Sequence, residues 1–196
     1  MKSAVWRTSV LKRLRQDVLR VEKQCTFCKW SGGDLKGEHA IMCSGGCSRI
    51  MRHNTVRDLI AKAARDLGFK TDIEHGGGLG DQRRPGDVIV YNWANGKHLL
   101  VDVAVINPLC VTHSENIVKE GVGGSATAYE SIKINEYPEI DYSCYDFVPF
   151  IIESCGGVGQ AASRLCKKFE DRLEAKEYWQ NKEITRESRK FPNRLF

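Results

Sequence analysis

Apolar positions mark out the elements of this chain before any chemistry is considered. Val10, Leu11, Leu14, Val18 and Val21 recur at helical spacing and predict a basic amphipathic helix over residues 4–23. Val56, Leu59, Ile60, Ala63, Ala64 and Leu67 predict a second helix over about 53–67, with Gly68 as its stop. Short apolar runs at 69–75, 87–93 and 97–106 then read as strands, and Asn95-Gly96 reads as the hairpin turn between the last two. The run Lys97–Ile106 is almost wholly apolar, which places it at the centre of a sheet. A helix over 125–137, stopped by Pro138, a strand over 146–154 and a long helix after Gly-Gly-Val-Gly complete the pattern. Beyond about residue 180 the chain is charged, apolar periodicity fades, and a loose tail over 181–196 is expected. The order is helix, three strands, helix, strand, helix, an α/β arrangement with no internal repeat.

Composition narrows the classes open to this pattern. No run reaches eighteen apolar residues, so no membrane-spanning helix is expected. The first residues carry Lys and Arg where a secretory leader needs an apolar stretch, and an intracellular protein is expected. Eight cysteines in such a setting read as thiols or metal ligands rather than disulfides. A net charge of +5 permits a polyanionic partner without requiring one.

The cysteines concentrate in one stretch. Cys25 and Cys28 form a C-x2-C pair that can grip one tetrahedral zinc from a single turn. His39 and Cys43 follow a turn-rich return loop, which gives a CCHC ligand set. Cys47 and His53 are rivals for the fourth position. Cys110, Cys144, Cys155 and Cys166 follow no ligand spacing and read as packing residues.

Two acids interrupt the sheet. Asp87 begins one strand and Asp102 lies inside the apolar run of the next. A carboxylate in so apolar a strand is costly unless a cation or partner satisfies it. The hairpin makes the two strands neighbours, so Asp87 and Asp102 can approach and share a divalent ion such as Mg2+, with Glu74 as a third acid. The plainer alternative is that Asp87 caps a turn and Asp102 pairs with an arginine.

Pro85-Gly86-Asp87, fourteen residues, then Asp102 in an apolar strand resembles the PD-(D/E)XK nuclease signature. More narrowly, the layout resembles the restriction-like endonuclease domain of non-LTR retrotransposons, in which a CCHC knuckle runs into an Arg-His-Asn or Arg-His-Asp helix start and then into two aspartates. Cys25, Cys28, His39, Cys43, Arg52-His53-Asn54, Asp87 and Asp102 stand in that order over roughly residues 20–170. The resemblance implies a PD-(D/E)XK restriction-endonuclease-like core, a central mixed sheet flanked by helices, over 52–180. A basic helix and zinc knuckle would occupy 1–51.

It also implies a Mg2+- or Mn2+-dependent DNA endonuclease with structural zinc. Asp87 and Asp102 would hold the catalytic metal, with Glu74 acting through a water. The family lysine, expected in a K-x-x-K-Y pattern, maps onto Lys133 and is followed by Tyr137. Glu136 replaces the second lysine, and Gly86 separates Pro85 from Asp87. DNA is the implied partner, with RNA or an RNA–DNA hybrid as alternatives, in a nuclear setting and, if the chain is a fragment, within a larger retroelement polyprotein. Arg49, Arg52, His53, Arg57, Arg83 and Arg84 are the expected phosphate-facing residues. Arg52, His53 and Arg57 would project from the helix start towards the acids or the DNA backbone, or else form a solvated helix end with Asn54 as N-cap. The rival functions are a nucleic-acid-binding module on an inactive nuclease core and a zinc-bearing protein adaptor.

Overall fold

The computed structural model describes residues 3–14, 16–30, 32, 34–43, 45, 47–73, 86–110 and 119–190. The elements run α1 (Ser3–Arg13), α2 (Glu38–Met42), α3 (Ser48–Asp66), β1 (Thr71–Ile73), β2 (Val88–Ala94), β3 (Lys97–Ile106), α4 (Gly124–Glu136), β4 (Tyr145–Glu153) and α5 (Gln160–Lys190). From α3 onward this is the expected helix, three strands, helix, strand, helix. No helix among the described residues is long and apolar enough to cross a membrane.

The four strands form one mixed sheet in the order β1-β2-β3-β4. β1, β2 and β3 pair antiparallel, and β3 pairs parallel to β4 after the crossover through α4. Asn95 and Gly96 both take positive φ, 51° and 77°, and turn β2 into β3 as the Asn-Gly pair predicts. A bulge between Val90 and Ala94 carries Asn92 at φ 52°. β4 lies at the edge of the sheet, where Pro149 is tolerated because the outer side of an edge strand needs no ladder donor.

Alternation along the strands divides the core in two. Val88, Val90, Leu99, Val101, Val103 and Phe150 pack with Ile60, Ala61 and Ala64 of α3 and with Ala162 and Leu165 of α5. The opposite face carries Ile106 and Ile151 against Ala126 of α4, with Ile89, Leu100 and Ile140 in a neighbouring cluster. Asp102 alternates with Val101 and Val103 and so belongs to the α4 face.

Three expectations are corrected. α1 ends at Arg13 rather than near 23, because the following segment serves the knuckle: the Val18 and Leu19 amides both donate to the Leu35 carbonyl at 2.8 Å. α3 begins at Ser48 with Cys47 as N-cap, so Asn54 lies within the helix. α5 continues to Lys190 where a loose tail was expected after about 180. The helix thus persists through charged sequence, and 191–196 lie outside the described residues.

Candidate functional site

The first candidate centre is local. The ligand atoms of Cys25, Cys28, His39 and Cys43 all lie within 4.8 Å of one another, and the group could hold a zinc ion. Cys25 Sγ lies 3.6 Å from Cys43 Sγ, and Cys28 Sγ lies 3.1 Å from His39 Nε2. Zn–S bonds of about 2.3 Å set tetrahedral edges of about 3.8 Å between sulfurs, so the donor set and its spacing fit the ion. The first two ligands sit on a tight turn in which the Cys25 amide donates to the Trp30 carbonyl and the Lys29 amide to the Cys25 carbonyl. The backbone N–H groups of Cys28 and Phe27 point at the Cys25 sulfur and lower its pKa from 9.0 to about 6, which favours the thiolate a metal needs.

The other two ligands flank α2. Asp34 accepts the amides of Glu38 at 2.6 Å and His39 at 2.9 Å and so caps that short helix. Trp30 stacks on the His39 ring, with centroids 4.5 Å apart, and fixes its plane. The two rivals lie in other contacts: Cys47 caps α3 and reaches Met51 Sδ at 3.5 Å, while His53 faces Asp87.

The second candidate centre is assembled from distant segments. The β2–β3 ladder pairs Val88 with Val101, so Asp87 stands one step before its first rung, beside Asp102. Asp87 brackets its neighbour. Its amide donates to the Val101 carbonyl at 2.8 Å, and its Oδ2 accepts the Val103 amide at 2.6 Å. Gly86 permits this approach, since a Cβ there would lie 3.1 Å from the Val101 carbonyl oxygen. The glycine that separates Pro85 from Asp87 therefore has a packing reason. Asp87 Oδ1 lies 3.2 Å from His53 Nε2.

Asp102 is 6% exposed, and its Oδ2 makes no hydrogen bond. Lys133 of α4 supplies an ion-pair contact to that oxygen, with Nζ at 3.3 Å but not in hydrogen-bond alignment. Lys133 Nζ also lies 3.0 Å from Glu136 Oε2. Burial raises the Asp102 pKa to about 6; Lys133 opposes the rise, and the Asp87 carboxylate adds to it. For Lys133, burial works against the charge, but Asp102 and Glu136 outweigh it and hold the ammonium above its ordinary pKa. Both partners rise because Asp102 is the more deeply buried and faces one cation, while Lys133 is shared between two carboxylates. Tyr137 is raised first by burial and then by Asp102, so its phenol stands within the same field, packed edge-on against Phe147.

The remaining expected residues divide. Arg49 is exposed on α3 and Arg52 is half-buried beside it. Burial and then the Arg49 charge lower the Arg52 pKa. Arg57 is 9% exposed and bonded to Asp58, with Nε 2.9 Å from Oδ1, so it supports the helix rather than offering a surface cation. Glu74, Arg83 and Arg84 lie outside the described residues.

Two buried acids escaped the sequence reading. Glu153 ends β4 and accepts the Gly123 and Ala126 amides, both at 3.2 Å, at the start of α4. Glu130 accepts the Ala161 amide at 2.8 Å, in the first turn of α5. Carboxylates complement helix N-termini in this way. The available signals were a glutamate closing an apolar strand before a Gly-rich turn, and a glutamate one turn beyond Ala126 on the same helix face. Comparison with known proteins finds no family model that matches the chain and no curated relative.

Proposed function

We propose that the chain is a metal-dependent DNA endonuclease of the retroelement type, with a PD-(D/E)XK core and a structural zinc knuckle. The observation that carries this reading is the meeting of Asp87, Asp102 and Lys133. Asp87 precedes β2, Asp102 lies in β3 and Lys133 in α4; Lys133 makes an ion-pair contact with a buried Asp102 oxygen that has no hydrogen bond, and Asp87 stands beside Asp102. Two carboxylates, Asp102 and Glu136, flank one ammonium, Asp87 adds a third negative charge beside Asp102, and this excess of negative charge suits a divalent cation.

Asp87 and Asp102 would hold the catalytic Mg2+ or Mn2+, with the Val103 carbonyl as a further oxygen donor. A bound ion of this kind lowers the pKa of a water and offsets charge on the scissile phosphate. The chain's own residues divide the remaining work. The Val103 amide and His53 fix the Asp87 carboxylate. Lys133 donates to the phosphate oxygens as negative charge accumulates on them. Tyr137 lies in the field of Asp102 and Lys133 and packs against Phe147. Arg49, exposed on α3, and Arg52, half-buried on the same helix, would contact backbone phosphates. The zinc knuckle leads directly into α3 and so sets the helix that carries His53.

The test is nicking of supercoiled plasmid in Mg2+ or Mn2+. Wild type should cleave, and Asp102→Ala should not, while still binding DNA. A folded, zinc-loaded wild type that binds DNA without metal-stimulated cleavage would leave the inactive nucleic-acid-binding module as the reading.

A further inference from the structure

Asp102, Lys133 and Glu136 form a row of charges from the core outward. Their side chains are 9%, 17% and 45% exposed, and the ammonium lies 3.3 Å from the inner carboxylate and 3.0 Å from the outer one. Glu136 is the more exposed of the two carboxylates on Lys133, so it is the one an anion arriving from solvent competes with. Glu136 and Lys133 are three residues apart on α4, so the contact forms within one helix turn and needs no other element to hold it. Part of the pair is solvent-exposed, so it is weak and screened, and a phosphate oxygen can displace it.

We propose that Glu136 is a positioning residue that occupies the phosphate-facing side of Lys133 in the resting protein and swings away when a phosphodiester binds. The proposal rests on the nuclease reading. It adds that this chain carries its own carboxylate competitor for the substrate phosphate at Lys133. Asp102 anchors the ammonium from beneath throughout, so departure of Glu136 leaves Lys133 paired on its buried side and open on the other. The cost of displacing Glu136 falls on substrate binding, so its loss should act on affinity and KM before kcat.

The experiment is a double-mutant cycle read by fluorescence anisotropy on a short labelled DNA duplex. Ca2+ replaces Mg2+ so that binding is measured without turnover, and circular dichroism checks each variant's fold. Glu136→Gln should bind the duplex roughly two- to fivefold more tightly than wild type, the scale of one exposed ion pair. Glu136→Asp should fall between the two. In a Lys133→Met background, Glu136→Gln should change nothing, because the competition has no site. Should Lys133→Met fail to fold, Glu170→Gln carries the comparison, since it removes the same charge from an exposed Lys167 pair on α5.

Equal tightening in both backgrounds, or equal tightening by Glu170→Gln, would mean a general charge effect and overturn the proposal. Unchanged or weaker binding by Glu136→Gln, with wild type binding normally, overturns this proposal alone. Failure of wild type and every variant to bind DNA removes the nuclease reading and this proposal with it.

Discussion

The Cys/His cluster of the knuckle and the acid site are built on opposite plans. The knuckle draws all four ligands from one short stretch, Cys25 to Cys43, and its two halves are held by local backbone bonds and a single capping aspartate. The acid site draws Asp87 from the residue before β2, Asp102 from β3 and Lys133 from the crossover helix, and strand register decides whether they meet. A slip of one residue in β2 against β3 would send Asp87 to the other face of the sheet. The knuckle can therefore fail locally, while the acid site depends on the packing of the whole sheet.

The largest effect should come from breaking the local centre. Cys25→Ser with Cys28→Ser should abolish the zinc equivalent in elemental analysis. It should also unfold the knuckle, since structural zinc supplies about 10 kcal/mol or more of apparent binding free energy to such small modules. The sheet should survive, because its core holds no knuckle residue. If the far-ultraviolet spectrum and thermal unfolding of the sheet collapsed together with zinc loss, the two regions would not be separable.

Within the distributed centre, Lys133→Ala should slow cleavage by about 10²-fold, the scale seen when one preorganised donor to developing charge is removed. Single-turnover kinetics would check it, and a rate within about threefold of wild type would exclude Lys133 from the transition state.

How much of this contrast the sequence carried follows from the same plans. The CCHC set was legible because ligand spacing is a local property. β3 was legible to the residue, Lys97–Ile106, because burial on both faces writes a continuous apolar run. The end of α1 was not legible. Val18 and Val21 keep helical spacing, but the backbone at Val18 and Leu19 is claimed by the Leu35 carbonyl across the knuckle, a contact no local pattern encodes. Arg57 read as a surface cation because charge in a helix usually faces solvent, whereas here it is buried and bonded to Asp58. Asp102 and Lys133 were named separately from the sequence, but their separation could be stated only once the crossover helix had been placed.

A smaller effect concerns pH. In the metal-free protein Asp102 is raised from 3.8 to about 6, chiefly by burial. The folded state then holds a proton that the unfolded state releases between these values. Stability should therefore decline as pH rises from about 4 to about 6 and level off above, by up to roughly 2 to 3 kcal/mol. Asp102→Asn should remove that slope in urea unfolding at a series of pH values. A wild type whose stability rose steadily through the same window, with the variant following it, would contradict the burial of Asp102.

The smallest expected effect separates two arginines of one helix. Arg49→Ala should weaken DNA binding and reduce the slope of log affinity against log salt by about one unit. Arg57→Ala should leave the slope unchanged and lower the melting temperature instead, since its guanidinium serves α3. Equal slope changes from the two would mean that Arg57 becomes available on binding.

The turn after β4 has a consequence for how the molecule breathes. The amides of Gly123, the N-cap of α4, of Ala126 in its first turn, and of Ala161 in the first turn of α5 are held by Glu153 and Glu130. A Cβ on Gly157 would collide with the Glu153 carboxylate, and one on Gly159 with that of Glu130. The Gly123 Cβ position is in turn closed by the Val158 carbonyl. The two helix starts therefore share a single seat, and neither can fray without disturbing the other. In native-state hydrogen exchange these three amides should open as one cooperative unit, at a free energy set by the turn rather than by either helix.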